Sequence, residues 1–137
     1  MQILIKQEGV TYVGMVGHAE LANAYARAGF VLYPTSFPET GCVALMKAQA
    51  LGSVPVTSRY QESTLPELTG RFDLGPPERP GEIADDPKWL QEWTEAVIRA
   101  ATMPGIEEHR KAMTAWARSH LLWSRTAKLW RARFAGR

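Results

Sequence analysis

The sequence predicts a single α/β domain built on a parallel sheet, and three observations support this. Short apolar runs at Phe30–Tyr33 and Val54–Thr57 alternate with helical patterns, which is typical of βαβ units. The chain has 137 residues, of which 45% are apolar and 22% charged, as in a globular domain with its own core. The single Cys42 excludes an internal disulfide and a cysteine zinc cage, and it indicates a reducing compartment.

The first βα step is predicted over residues 10–29. Alternation of apolar residues predicts a strand over Val10–Gly17. Apolar residues at helical spacing then predict a helix over His18–Ala28, with Gly29 as its stop signal.

A second βαβ step is predicted over residues 30–57. The run Phe30–Tyr33 is of the kind that forms a strand buried on both faces. A nearly all-apolar helix opens at Thr40 or Gly41 and closes at Gly52, and the strand Val54–Thr57 follows it.

The chain then passes through a short helix and a loop. The run Thr64–Glu67 fits a capping box, in which each of these two side chains bonds a backbone amide at a helix start. Phe72–Leu74 is a candidate last strand. The proline- and glycine-rich residues 75–87 are predicted to form an exposed loop.

The rest of the chain is predicted to be helical. One pattern covers Trp89–Ala100, and closing helices are expected over about residues 105–134. There Trp116, Trp123 and Trp130 recur every seven residues, which favours one aromatic face packed on the core. Three or four strands make a small sheet, so residues 1–137 are interpreted as one domain truncated at its N-terminal side.

The charge changes sign along the chain. Residues 1–108 hold all 14 acids and eight bases, whereas residues 109–137 hold eight bases and no acid. The basic tail is either a solvated helix face or a surface that attracts phosphates or anionic lipid. No nucleic-acid-binding motif accompanies it. No apolar run approaches the roughly 18 residues that span a bilayer, so we expect a cytoplasmic protein, with peripheral contact at the inner membrane face as one alternative.

A candidate site follows the strand Phe30–Tyr33. In open α/β sheets, ligands bind beyond the carboxyl ends of the strands, where helix N-termini offer amides to anions. Glu39 is positioned to accept hydrogen bonds from sugar hydroxyls, while the amides near Gly41, Cys42 and Val43 face a phosphate. The alternative is that Glu39 only stabilises the helix N-terminus.

Four segments resemble, in order and separation, a known enzyme family. They are Gly9–Glu20, Tyr33–Gly41, Lys47–Val56 and Leu122–Ser124. Together they are similar to the C-terminal half of a retaining glycosyltransferase of the GT-B fold, in the large group with glycogen-synthase-like and sucrose-synthase-like members. The resemblance covers about residues 9–134 and implies a Rossmann-like domain that binds a nucleotide diphosphate sugar.

The resemblance implies a role for each matching residue. Glu39 would hold hydroxyls of the donated sugar. The backbone amides around four residues would meet the diphosphate: Thr40, Gly41, Cys42 and Val43. Glu67 matches a Glu near the sugar donor, although its role in a capping box explains it equally well.

Lys47 departs from the family pattern. The resemblance places there a second Glu that accepts the ribose hydroxyls, whereas an ammonium only donates. Lys47 is therefore either a remodelled ribose contact or a side chain that snorkels from its helix.

The family's Arg and Lys pair and its N-terminal acceptor domain have no counterpart in this sequence. The chain alone is therefore expected to bind the nucleotide sugar without turnover. The alternative is a non-catalytic module that self-associates into a homo-oligomer. His18, His109 and His120 lack neighbours at ligand spacing, so neither a metal nor another cofactor is expected.

Overall fold

The computed structural model describes residues 4–76 and 86–136. Within them, two parallel strands form a small sheet, β1 (Phe30–Tyr33) and β2 (Val54–Thr57), so the predicted α/β class is confirmed. The α-helices are α1 (His18–Arg27), α2 (Val43–Leu51), α3 (Leu65–Thr69), α4 (Pro87–Ala101), α5 (Ile106–His120) and α6 (Trp123–Ala135), and 3-10 turns cover Leu4–Lys6 and Gly70–Phe72.

The two strands and the helix that connects them match the prediction closely. Gly52 adopts a left-handed φ of 102° and ends α2, which a residue without a Cβ does at little strain. The chain then enters β2, which pairs with β1 from Phe30 opposite Val54 to Tyr33 opposite Thr57. This register brings the carboxyl ends of both strands to the same edge of the sheet.

The sheet lies between two apolar clusters. On one face Val31 and Tyr33 pack against the buried residues Cys42, Leu45 and Leu65. On the other face, Val54 packs with residues of the following turn and of α5, and the buried members of this cluster are Val54, Phe72 and Met113. Helices therefore supply the cover on both sides of β2.

The prediction that β1 is buried on both faces is wrong. Every residue of β2 is buried, but the Leu32 side chain of β1 is 50% exposed. Among the described elements, β1 pairs only with β2, so β1 is an edge strand.

The strand predicted over Val10–Gly17 is not formed. Gly9 and Gly14 adopt left-handed φ values of 82° and 67°, which interrupt an extended backbone. Tyr12 is 72% exposed and Met15 fully so. Apolar alternation alone does not make a strand here, because the described part of the chain offers this segment no pairing partner.

The candidate strand Phe72–Leu74 is also wrong. Phe72 ends a 3-10 turn, and the Leu74 amide donates to the Pro55 carbonyl at 3.0 Å without a continuous ladder. Most of the loop predicted after it, residues 77–85, lies outside the described residues. The next described residue is Asp86, whose side chain caps α4 by accepting a hydrogen bond from the Lys88 amide at 3.0 Å.

The closing segment consists of two helices, α5 and α6. Polar side-chain contacts accompany the break in the last turn of α5, where the Ser119 hydroxyl donates to the Trp116 carbonyl at 2.8 Å. The Arg125 guanidinium then binds the Ser119 carbonyl from α6, at 3.2 Å. The prediction of one buried aromatic face is therefore wrong: Trp116 packs on the core, whereas Trp123 is 76% and Trp130 65% exposed.

Candidate functional site

The loop that carries the predicted site residues begins at the carboxyl edge of the sheet. The Ser58 amide donates to the Tyr33 carbonyl at 3.3 Å, and the Ser58 hydroxyl donates to the Thr35 carbonyl at 2.5 Å. These bonds fasten the chain after β2 to the chain after β1. The first residues of the loop that carries Glu39 are therefore held against the end of β2.

Glu39 is held by the last residue of β1. The Tyr33 hydroxyl donates to Oε1 of Glu39 at 2.5 Å, and the carboxylate is half-buried. This bond, and after it burial, raises the pKa of the Tyr33 phenol, because loss of its proton would place a phenolate beside a carboxylate. Tyr33 occupies one acceptor position of Glu39, and a carboxylate has about four.

The Glu39 backbone is held by Thr64. The Glu39 carbonyl accepts from the Thr64 amide at 2.7 Å and from the Thr64 hydroxyl at 3.1 Å. The predicted capping box is therefore wrong: the Thr64 side chain makes no capping bond to α3, and the hydroxyl serves the site loop instead. Glu67 lies exposed in the first turn of α3.

The N-terminus of α2 begins four residues after Glu39, at Val43. Cys42 is the residue before the helix, is buried, and makes no side-chain capping bond. The first amides of an α-helix have no partner within the helix, so those of Val43 and the next residues are available to bind an anion. Thr40 and Gly41 are exposed, and a Cβ at Gly41 would meet no atom within 4 Å. This end of α2 is open to a ligand.

Lys47 lies one turn beyond Val43 on α2. Both side chains are exposed, and both line a groove of about 160 Å³ together with Leu121, Leu122 and Trp123. The stem of Lys47 therefore lies on an apolar surface near the start of α6.

Two residues near the carboxyl edge of the sheet are not among those predicted from the sequence. Asp73 is buried and accepts from the Thr57 amide at 2.9 Å and from the Gly75 amide at 2.8 Å. Arg59 follows the carboxyl end of β2 by two residues, and its buried Nε has no hydrogen-bond partner within residues 4–76 and 86–136. The Asp-x-Gly spacing is a turn signal that indicates the first. No local signal indicates the second.

No family model, curated protein or solved structure matches the chain. In the described ranges, no group of three or more His, Cys, Asp and Glu side chains is arranged to hold a metal ion. Those ranges also contain no helix that is long and apolar enough to cross a membrane.

Proposed function

We propose that this chain is the donor-binding part of a retaining glycosyltransferase of the GT-B fold. The whole enzyme transfers a sugar from a nucleotide diphosphate sugar to an acceptor hydroxyl. The observation that carries the proposal is the bond from Tyr33 to Glu39, which lies three residues before the N-cap of α2. It fixes a carboxylate in the short loop between the carboxyl end of β1 and the free amides of a helix N-terminus.

Glu39 is suited to hold the sugar. Its Tyr33 and Thr64 bonds fix both its side chain and its backbone, so little conformational freedom is lost when a sugar binds. The acceptor positions that Tyr33 leaves open take the hydroxyl protons of the sugar.

The amides of α2 and the Arg59 guanidinium are suited to hold the diphosphate. A helix N-terminus carries a partial positive charge of about half a unit, which favours anions. A buried nitrogen without a partner costs about 1–3 kcal/mol, and a phosphate oxygen that bonds Arg59 would offset this cost.

During the reaction, negative charge develops on the departing diphosphate, which these groups would hold. The acceptor oxygen forms a bond to the anomeric carbon, the bond from that carbon to the diphosphate oxygen breaks, and the acceptor proton leaves with the diphosphate. The amides of α2 and Arg59 stabilise the departing diphosphate, as fixed dipoles do for developing anions. Glu39 positions the sugar. Because the site lies on an open edge of one small α/β unit, we propose that the isolated chain binds the sugar donor without turnover.

Calorimetric titration of the 137-residue chain with UDP-glucose, ADP-glucose and GDP-mannose tests the proposal. We expect saturable binding of at least one of them, weakened at least tenfold by Glu39→Gln, since a charge-assisted hydrogen bond contributes about 1.5–3 kcal/mol. Glu20→Gln is the matched control, because Glu20 is an exposed carboxylate in the first turn of α1, and it should leave binding unchanged.

Two results would contradict the proposal. One is equal binding by Glu39→Gln and the unchanged chain. The other is no binding of any of the three nucleotide sugars together with a concentration-dependent dimer, which would favour the self-associating module. Turnover by the isolated chain would overturn only the expectation that it is inactive alone.

A further inference from the structure

Helix α6 exposes its aromatic residues. It contributes no buried residue to the protein, and Trp123, Trp130 and Phe134 are 76%, 65% and 62% exposed. Trp130 and Phe134 touch edge to face, with 6.4 Å between the ring centroids. Single exposed apolar side chains are ordinary, but three large aromatic residues on one short helix form a patch that marks an interaction surface.

The aromatic residues lie on one side of α6. At about 100° per residue, Trp123, Trp130 and Phe134 fall within a sector of about 40°. Arg131 and Arg133 lie on either side of this sector, each about 80° from its centre.

The opposite face of α6 is also basic. Arg125 and Lys128 lie about 140–160° from the centre of the aromatic sector. The helix contains no acidic residue. It therefore carries an aromatic stripe flanked and backed by cations.

We infer that α6 docks on the surface of an anionic lipid bilayer. A helix in the bilayer interface buries its apolar side about 5–10 Å into the boundary between headgroups and acyl chains. Trp and Phe are well suited to that depth, and the flanking Arg131 and Arg133 would meet lipid phosphates. Cations near an anionic surface each add roughly fivefold to the affinity.

Charge complementarity favours lipid over a second copy of α6. Each α6 helix carries four cations and no acid, so pairing two α6 helices along their aromatic stripes opposes like charges in either orientation. An anionic bilayer instead complements Arg131 and Arg133, which flank the aromatic side. This docking is independent of the proposed sugar donor site.

Flotation of the chain with lipid vesicles tests the inference. We expect at least tenfold tighter binding to vesicles of 70% phosphatidylcholine and 30% phosphatidylglycerol than to phosphatidylcholine alone. The double substitution Trp130→Ala and Phe134→Ala should abolish most of this binding. Because both side chains are exposed, the fold should survive, and circular dichroism checks this.

Two pairs of exposed cations on α5 and α6 provide a matched comparison at equal net charge. Arg131→Gln with Arg133→Gln should weaken binding several-fold more than Lys111→Gln with Lys128→Gln, since only the first pair flanks the aromatic side. Equal losses from the two pairs, or equal binding to both kinds of vesicle, would overturn the inference. So would a dimer in sedimentation that the aromatic substitutions dissociate, if the unchanged chain does not bind vesicles.

Discussion

The Asp73 carboxylate accepts a hydrogen bond from the Thr57 backbone amide at 2.9 Å and another from the Thr57 hydroxyl. Its Oδ1 also accepts from the Gly75 amide at 2.8 Å. A side chain thus takes the position beside β2 where a further strand would otherwise supply carbonyls. The end of β2, from which the candidate site begins, is held by this carboxylate.

Replacement of Asp73 by Ala should lower the free energy of unfolding by about 2–4 kcal/mol, because the buried Thr57 amide loses its partner. Asp73→Asn retains one acceptor oxygen for the two amides and should cost about half as much. Urea unfolding measures both. Glu95→Ala, at an exposed position of α4, is the control, and a loss for Asp73→Ala no larger than this control would contradict the prediction.

The two glycines Gly75 and Gly41 should respond differently to the same added methyl group. A Cβ at Gly75 would lie 1.9 Å from the Thr57 carbonyl oxygen, so Gly75→Ala forces the backbone apart and should cost about 3 kcal/mol or more. A Cβ at Gly41 meets no atom within 4 Å, and Gly41→Ala should change stability by less than about 0.5 kcal/mol. Equal thermal unfolding temperatures for the two variants would show that the close approach at Gly75 is not rigid.

The pair Tyr33 and Glu39 should make stability depend on alkaline pH. The folded state raises the pKa of Tyr33, so the stabilisation is fully present below the unfolded value of about 10 and is lost as pH rises above it. Urea unfolding between pH 8 and 11 should show a steeper loss for the unchanged chain than for Tyr33→Phe. Tyr12→Phe, at an exposed position, is the control and should follow the unchanged chain. Identical pH profiles for Tyr33→Phe and the unchanged chain would contradict the role of the bond.

The sequence predicts a helix or strand of this fold correctly where the local residue pattern agrees with the tertiary contacts of that segment. Gly29 and Gly52 lie just before β1 and β2, and the structure has both strands at the predicted residues. The Val10–Gly17 pattern fails because a strand needs a partner, which alternation does not reveal. The break between α5 and α6 has no glycine or proline signal, and the side-chain bonds of Ser119 and Arg125 that accompany it depend on the folded geometry.

The sequence likewise predicts only part of the candidate site. The position of Glu39 before a helix is visible in the sequence, because a strand, a loop and a helix start follow one another. Its bond to Tyr33 and the backbone support from Thr64 are not visible, since they depend on how the loop returns to the sheet and how α3 packs beside it. Asp73 also binds Thr57, sixteen positions away in the chain, and its local Asp-x-Gly turn signal does not reveal that partner.

Substitutions at Lys47 test whether this position contacts the ribose of the proposed sugar donor or only packs in its groove. If the resemblance applies at this position, Lys47→Glu should strengthen binding of a nucleotide sugar about tenfold, since a carboxylate accepts both ribose hydroxyls and the ammonium accepts neither. Lys47→Met keeps the apolar stem in the groove beside Trp123 and removes only the charge. Unchanged binding in Lys47→Met would assign the side chain to packing in the groove. Binding weakened by both substitutions would instead show that the ammonium contacts the phosphates, and would contradict the expected gain from Lys47→Glu. Calorimetry with the nucleotide sugar that binds the unchanged chain most tightly measures all three proteins.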